Sequence, residues 1–265
     1  TYMIAFFISC LILGLFIGFL AGLFGIGGGL IIVPALVYLF PMVGVPPEYL
    51  MSTALGTSFA TIVITAFSSA QRHHKLGNVD FSIAKVLLPS IMISVFLCGL
   101  LISGLDAQVA KKLFAVMVVY MAGKMIFSLK KSSKIRPLTK QSMVVAGGII
   151  GALSSIAGIG GGGFIVPFLN GRGVEMKAAI GTSSFCGAFL GLAGMFSFIA
   201  SGWSVPDLPE LSLGYVYLPA LVGITLTSFF TSKLGATAAN SLPVPILKKG
   251  FACLLLVMAV KIFLS

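Results

Sequence analysis

The chain is short of acid and of charge in general. Of its 265 residues, six are Asp or Glu and 17 are Lys or Arg, and charged residues make up 9%. Soluble domains carry about 25%, so a water-facing surface cannot be built from this sequence. All six acids (Glu48, Asp80, Asp106, Glu175, Asp207 and Glu210) fall in, or at the edge of, expected loops. With no carboxylate expected at mid-membrane, a buried acidic proton relay or conventional cation pathway is disfavoured. No buried His, Asp or Glu is expected either, so no catalytic constellation can be assembled at depth, and the chain is not read as an enzyme. There are four cysteines, Cys10, Cys98, Cys186 and Cys253, all in apolar runs and none in C-x-x-C spacing. This indicates neither a zinc site nor a redox pair and leaves them as small apolar side chains. Thiol chemistry at Cys186 is the minor alternative. No cofactor or metal is implied. The net charge of +11 comes with no basic stripe interleaved with aromatics, so nucleic acid is not an expected partner.

What the chain does have is apolar sequence: 58% of residues, with a mean hydropathy of +1.13. That suits a bilayer, the expected surroundings of nearly the whole length. The first run, Met3–Gly22, has no basic stretch before it and no evident cleavage site after it, and is not read as a signal peptide. Runs of spanning length follow at Tyr49–Ser69, Ile83–Ser103, Val109–Leu129, Ala178–Ala200, Leu213–Ser232 and Ile246–Leu264, with a slightly shorter one at Ser142–Ala157. Leu30–Phe40 and Phe164–Leu169 fall well below the ~20 residues that a span needs. Each of these two follows a glycine cluster.

The clusters expose a repeat. Gly25-Ile26-Gly27-Gly28-Gly29 leads to Val33-Pro34, and Gly158-Ile159-Gly160-Gly161-Gly162 leads to Val166-Pro167. Ala54-Leu55-Gly56-Thr57-Ser58 matches Ala179-Ile180-Gly181-Thr182-Ser183, and Leu88-Pro89 matches Leu218-Pro219. Lys111-Lys112 matches Lys248-Lys249, and Met121-Ala122-Gly123-Lys124 matches Met258-Ala259-Val260-Lys261. We read residues 1–129 as one repeat, 130–140 as a basic cytoplasmic linker and 141–265 as the second repeat. Lys and Arg concentrate in Arg72–Lys85, Lys130–Lys140, Arg172–Lys177 and Lys233–Lys249, with Lys111 and Lys112 the main exception. The positive-inside rule places those connections in the cytoplasm and both termini outside. Each repeat is then a broken helix and half-helix pair followed by three spans, and the odd span number inverts the second copy. The expected fold is an all-α polytopic membrane protein of two inverted-topology repeats, whose site lies where they meet.

Clustered glycine breaks a helix, and broken backbone survives in a bilayer only inside protein or beside a water-filled cavity. The expected form is an extended strand feeding a half-helix, with Pro34 and Pro167 in the first turn. A helix N-terminus offers free N–H donors and about +0.5 charge, which suits an anion. Gly25, Gly27, Gly28, Gly29 and Pro34, with Gly158, Gly160, Gly161, Gly162 and Pro167, are therefore candidate binding residues. Close helix packing is the alternative use of such glycines. Gly56, Thr57, Ser58, Gly181, Thr182 and Ser183, expected to open the second span of each copy, join them, because hydroxyls can donate to an oxyanion without a buried charge. Hydroxyls bonding back to their own helix are the other reading. Asn170 and Asn240 could serve a ligand or a turn. Lys124 and Lys261 are expected to snorkel, and His73 to sit in a solvated, orienting loop.

The paired Gly-Ile-Gly-Gly-Gly…Val-Pro motifs, each followed by an apolar Gly-Thr-Ser segment, resemble the TauE/SafE family of membrane permeases. So does the stretch His74-Lys75-Leu76-Gly77-Asn78-Val79-Asp80. The resemblance implies transport of sulfite, sulfonates and related small anions, often as export, across the cell (inner) membrane. It carries over the glycines and prolines named above, with Gly56, Thr57, Gly181 and Thr182. A small-anion channel, or uptake by proton or sodium symport, is the alternative. Exposed faces look alike whether they meet lipid or another subunit, so a homo-oligomer is open.

Overall fold

The computed structural model describes residues 2–130 and 137–243, together with 246, 250 and 253. The helices are α1 (Tyr2–Phe24), α2 (Gly29–Leu39), α3 (Leu50–Lys75), α4 (Phe81–Ser103), α5 (Ala107–Lys130), α6 (Lys140–Ala157), α7 (Gly162–Asn170), α8 (Met176–Gly202) and α9 (Leu218–Ser241). A single 3-10 turn, Phe40–Val43, follows α2. Helices α1, α3, α4, α6 and α8 are long and apolar enough to cross a membrane. The protein is an all-α polytopic membrane protein. Most of the C-terminal run, with Lys248-Lys249 and Lys261, lies outside the described residues, as does most of the 130–140 junction. The Lys124 side chain is likewise outside them.

Two loop acids start helices. The Asp80 carboxylate accepts from the Ser82 and Ile83 N–H groups at the start of α4. Asp106 does the same for Gln108 and Val109 in α5. Thr139 and Ser142 form a reciprocal capping box on α6. Each satisfies donors that a helix start leaves unpaired. The run expected to begin a span at Leu213 instead opens with a two-residue hairpin, Ser212–Leu213 against Val216–Tyr217. Gly214 turns it at φ 54°, and α9 begins only at Leu218 with Pro219 in its first turn.

Packing pairs one copy with the other. α1 lies along α9 as α6 lies along α4, α3 packs on α9 as α8 packs on α4, and α3 and α8 pack on each other at the centre. Small residues let these backbones meet: a Cβ on Gly14 would lie 2.2 Å from the Ile224 carbonyl oxygen, and one on Gly151 2.7 Å from that of Ile91. The exposed flanks are apolar, as at Phe16, Leu101 and Phe230, which suits a lipid surround.

Candidate functional site

The two glycine breaks cross at the centre of this arrangement. Gly25, Gly27 and Gly28 have φ of +69°, +75° and +87°, and Gly158 and Gly161 have +59° and +78°. Side-chain-bearing residues adopt that region at a cost, and glycine does not. Gly28 and Gly161 are the residues that start α2 and α7. The Gly160 N–H donates to the Ile26 carbonyl across the copies at 3.1 Å. A Cβ on Gly29 would lie 1.9 Å from the Gly158 oxygen, and one on Gly162 2.0 Å from the Gly25 oxygen. The backbones touch because both partners lack side chains.

Around the crossing, each motif residue of one copy has its counterpart's kind of partner in the other. Ser58 Oγ donates to the Gly158 carbonyl at 2.8 Å, and Ser183 Oγ donates to the Gly25 carbonyl at 3.2 Å. Thr57 Oγ1 accepts from the Tyr217 N–H at 3.0 Å, and Thr182 Oγ1 accepts from the Asp80 N–H at 2.9 Å. Tyr217 and Asp80 are the residues preceding α9 and α4. Gly56 and Gly181 let the carbonyls of Tyr215 and Asn78 come close. All four hydroxyls are fully buried. They therefore tie the copies together: Ser58 and Ser183 spend their protons on protein carbonyls, while Thr57 and Thr182 serve as acceptors.

Two local expectations are corrected. Pro34 and Pro167 are not in the first turn; α2 and α7 begin five residues earlier, at the glycines, and hold the prolines inside. Without a proline N–H, the carbonyls of Leu30 and Gly163, four residues before, lose their helical partner. The Gly-Thr-Ser segments do not open their spans but sit more than a turn inside α3 and α8. What remains open at the crossing is a set of donors. Among the described residues, the N–H groups of Gly27, Gly28 and Gly29, and of Gly162 and Gly163, have no protein acceptor. Two half-helix N-termini thus meet, worth about +0.5 charge each. The buried polar side chains are Ser, Thr and His73, with no carboxylate, Lys or Arg among the described residues.

His73 is not in a solvated loop. It is fully buried in the last turn of α3, with Nε2 3.1 Å from the Gly22 carbonyl oxygen and the Asn78 amide 3.4 Å from Nδ1. A carbonyl only accepts, so these partners select the tautomer with hydrogen on Nε2. Asn78 continues to Asn240 Oδ1 at 3.1 Å, and Asn170 Nδ2 closes its own turn on the Val174 carbonyl. Replacing His73 by Leu is expected to cost about 1–3 kcal/mol by orphaning the Gly22 carbonyl, seen as a lower thermal midpoint in detergent. An unchanged midpoint would mean that the imidazole braces nothing. Cys186 is buried in α8 and unpaired with any other sulfur.

The sequence reading missed a stripe of hydroxyls. Thr53, Thr57, Ser58, Thr61, Thr65, Ser68 and Ser69 are all fully buried along α3. Thr65 meets Ser228 at 2.8 Å and Ser69 meets Ser184 at 3.2 Å, while Thr53 Oγ1 and, in α6, Ser154 Oγ have no partner. Steps of three and four residues put these groups on one face, a signal that was present in the sequence. Two cavities flank the crossing: one of about 930 Å³ beside α2, lined by Val33, Pro34 and residues of α1 and α5, and one of about 540 Å³ beside α7, lined by Phe164, Phe168 and residues of α6.

The family model described as sulfite exporter TauE/SafE matches residues 10–262. The chain belongs to the TauE/SafE family. A probable membrane transporter protein of Haemophilus influenzae is 62% identical to this TauE/SafE chain over 264 residues, 99% of this chain and 100% of that one. A probable membrane transporter protein of Methanocaldococcus jannaschii is 28% identical, covering 85% of this chain and 83% of its own. Another from Bacillus subtilis is 25% identical, covering 87% of each. No solved structure matches the chain. This TauE/SafE protein is a multi-pass membrane transporter.

Proposed function

We propose that the protein exports a small sulfur-containing oxyanion, such as sulfite or a sulfonate, across the cell membrane by alternating access between two inverted repeats, residues 1–129 and 141–265. The observation that carries this reading is the crossing: two half-helix N-termini with unpaired N–H groups, surrounded by buried hydroxyls and no buried carboxylate among the described residues. Such a place offers donors and partial positive charge to an anion. The family description adds sulfur. Partner exchange between the copies is the pattern that a two-fold axis in the membrane plane would produce. The crossing is tightly packed, so passage requires the copies to part there, and rocking of one against the other opens it to either face in turn. Efflux is the simpler direction, because one charge crossing a 100 mV potential is worth ~2.3 kcal/mol and a negative interior expels anions unaided.

The test is sulfite release from loaded proteoliposomes under an imposed potential, negative inside. Saturable release, faster than from protein-free vesicles and increasing with the potential, is expected. Concentrative uptake driven by a proton or sodium gradient would overturn the direction. Absence of transport for sulfite and sulfonates by folded protein would overturn the substrate.

A further inference from the structure

Lys111 and Lys112 stand apart from the rest of the charge pattern, and the transport reading does not use them. They lie one turn into α5, both exposed, and among the described residues neither has an ion pair or hydrogen bond. The nearest acid in sequence, Asp106, is occupied by the N–H groups of Gln108 and Val109. The two lysines are among the residues that line the 930 Å³ cavity. The rest of its lining is mostly apolar and comes from α1, α2, α3 and α5, including Ile12, Phe16 and Tyr38. These three are 50%, 68% and 81% exposed. In a chain surrounded by lipid, walls so exposed mean that the cavity opens sideways into the bilayer. Tyr38, at the end of α2, is the kind of residue that sits at headgroup level.

The site thus has an apolar trough continuous with the bilayer and a pair of uncompensated cations in its lining. We propose that it seats one anionic phospholipid, with an acyl chain against Ile12 and Phe16 and the phosphate on Lys111 and Lys112. Charge complementarity selects this occupant: a zwitterionic lipid brings its own cation to the phosphate, and a second protein chain would have to supply carboxylates at that one point. Basic pockets between membrane helices bind anionic headgroups for the same reason. The related cavity beside α7 lacks the feature, because Arg172 there is already bonded to the Pro137 carbonyl and to Ser142 Oγ and lies over the Phe168 ring. A lipid wedged beside α2 would bear on one arm of the crossing.

The protein has a single tryptophan, Trp203, which is exposed and remote in sequence from the cavity walls. A Trp203→Phe background therefore allows one reporter, Ile12→Trp, to be read by its fluorescence. The full-length protein in detergent micelles is titrated with phosphatidylglycerol or phosphatidylcholine carrying brominated chains. Saturable quenching at lower phosphatidylglycerol than phosphatidylcholine is expected, with the difference, about 30-fold for two lysines at an anionic headgroup, removed by Lys111→Gln with Lys112→Gln. Circular dichroism and gel filtration confirm that each variant is folded. Inorganic phosphate or sulfate at millimolar concentration leaves the quenching unchanged if a lipid is the occupant. Equal quenching by the two lipids, persistence of the preference in the double variant, or displacement by free sulfate would each overturn the proposal, the last by making the cavity an anion vestibule.

Discussion

Gly162→Ala is expected to leave little folded protein, and Gly29→Ala to behave alike. Neither glycine has positive φ, so backbone strain is not the reason. A Cβ on Gly162 would lie 2.0 Å from the Gly25 oxygen, 2.3 Å from Ile26 Cα and 2.4 Å from the Gly25 carbonyl carbon. All three are backbone atoms, and no side chain can turn away to relieve the overlap. Overpacking costs about 1–3 kcal/mol when side chains can adjust, and more when backbone must move, against a total stability of about 5–15 kcal/mol. The partner positions at Gly29 are the Gly158 oxygen at 1.9 Å and the Ile159 Cα at 2.9 Å. Gly148→Ala is the control: it lies in α6 with nothing within 4 Å of the added Cβ, and is expected to be neutral or to gain up to about 1 kcal/mol. Monodisperse yield and thermal midpoint in detergent decide the matter. Wild-type behaviour of Gly162→Ala and Gly29→Ala would show that the two breaks do not touch.

Thr57→Val is expected to destabilise the protein by about 1–3 kcal/mol, because it leaves the buried Tyr217 N–H without its acceptor. Thr182→Val does the same to the Asp80 N–H, at a half-buried position, for a loss at the lower end of that range. Thr57→Ser and Thr182→Ser keep the oxygen and are expected to recover most of the loss, short of the missing methyl group. Thermal midpoints of the four variants, alongside sulfite release, separate two roles. A hydroxyl that braces the copies lowers the midpoint and transport together, and Ser restores both. Loss of transport at an unchanged midpoint would instead make the threonine a direct anion ligand, as the sequence reading had it.

The sequence reading reached the all-α membrane fold, the family, and the breaks at Gly25–Gly29 and Gly158–Gly162, because hydropathy and clustered glycine act locally and each leaves its mark on the residues concerned. Matching positions such as Thr57 and Thr182 were found by comparing the copies, which needs no structure. The roles assigned to them were less legible. A threonine in a span can serve a ligand, its own helix or a neighbour, and composition cannot distinguish these. His73 was misplaced because its neighbours Arg72, His74 and Lys75 give the segment the polarity of a loop, while the helix continues through it and turns that one ring inward. Pro34 and Pro167 were misplaced for a related reason: proline suits a first turn, but the permissive glycines before it let the helix begin five residues sooner.

The order of residues by itself determined that this chain spans a bilayer, that its glycine and Gly-Thr-Ser motifs occur twice, and where the glycine clusters break the helices. These follow from transfer energies and backbone propensities summed over short windows, which do not depend on distant partners. Only the tertiary structure decided that the breaks meet each other, that Ser58 and Ser183 hold the opposite copy's carbonyls, and that Lys111 and Lys112 border an apolar cavity. Those facts arise from contacts between residues about 100 or more positions apart, or on different helices, and their energies exist only once packing has chosen which faces meet.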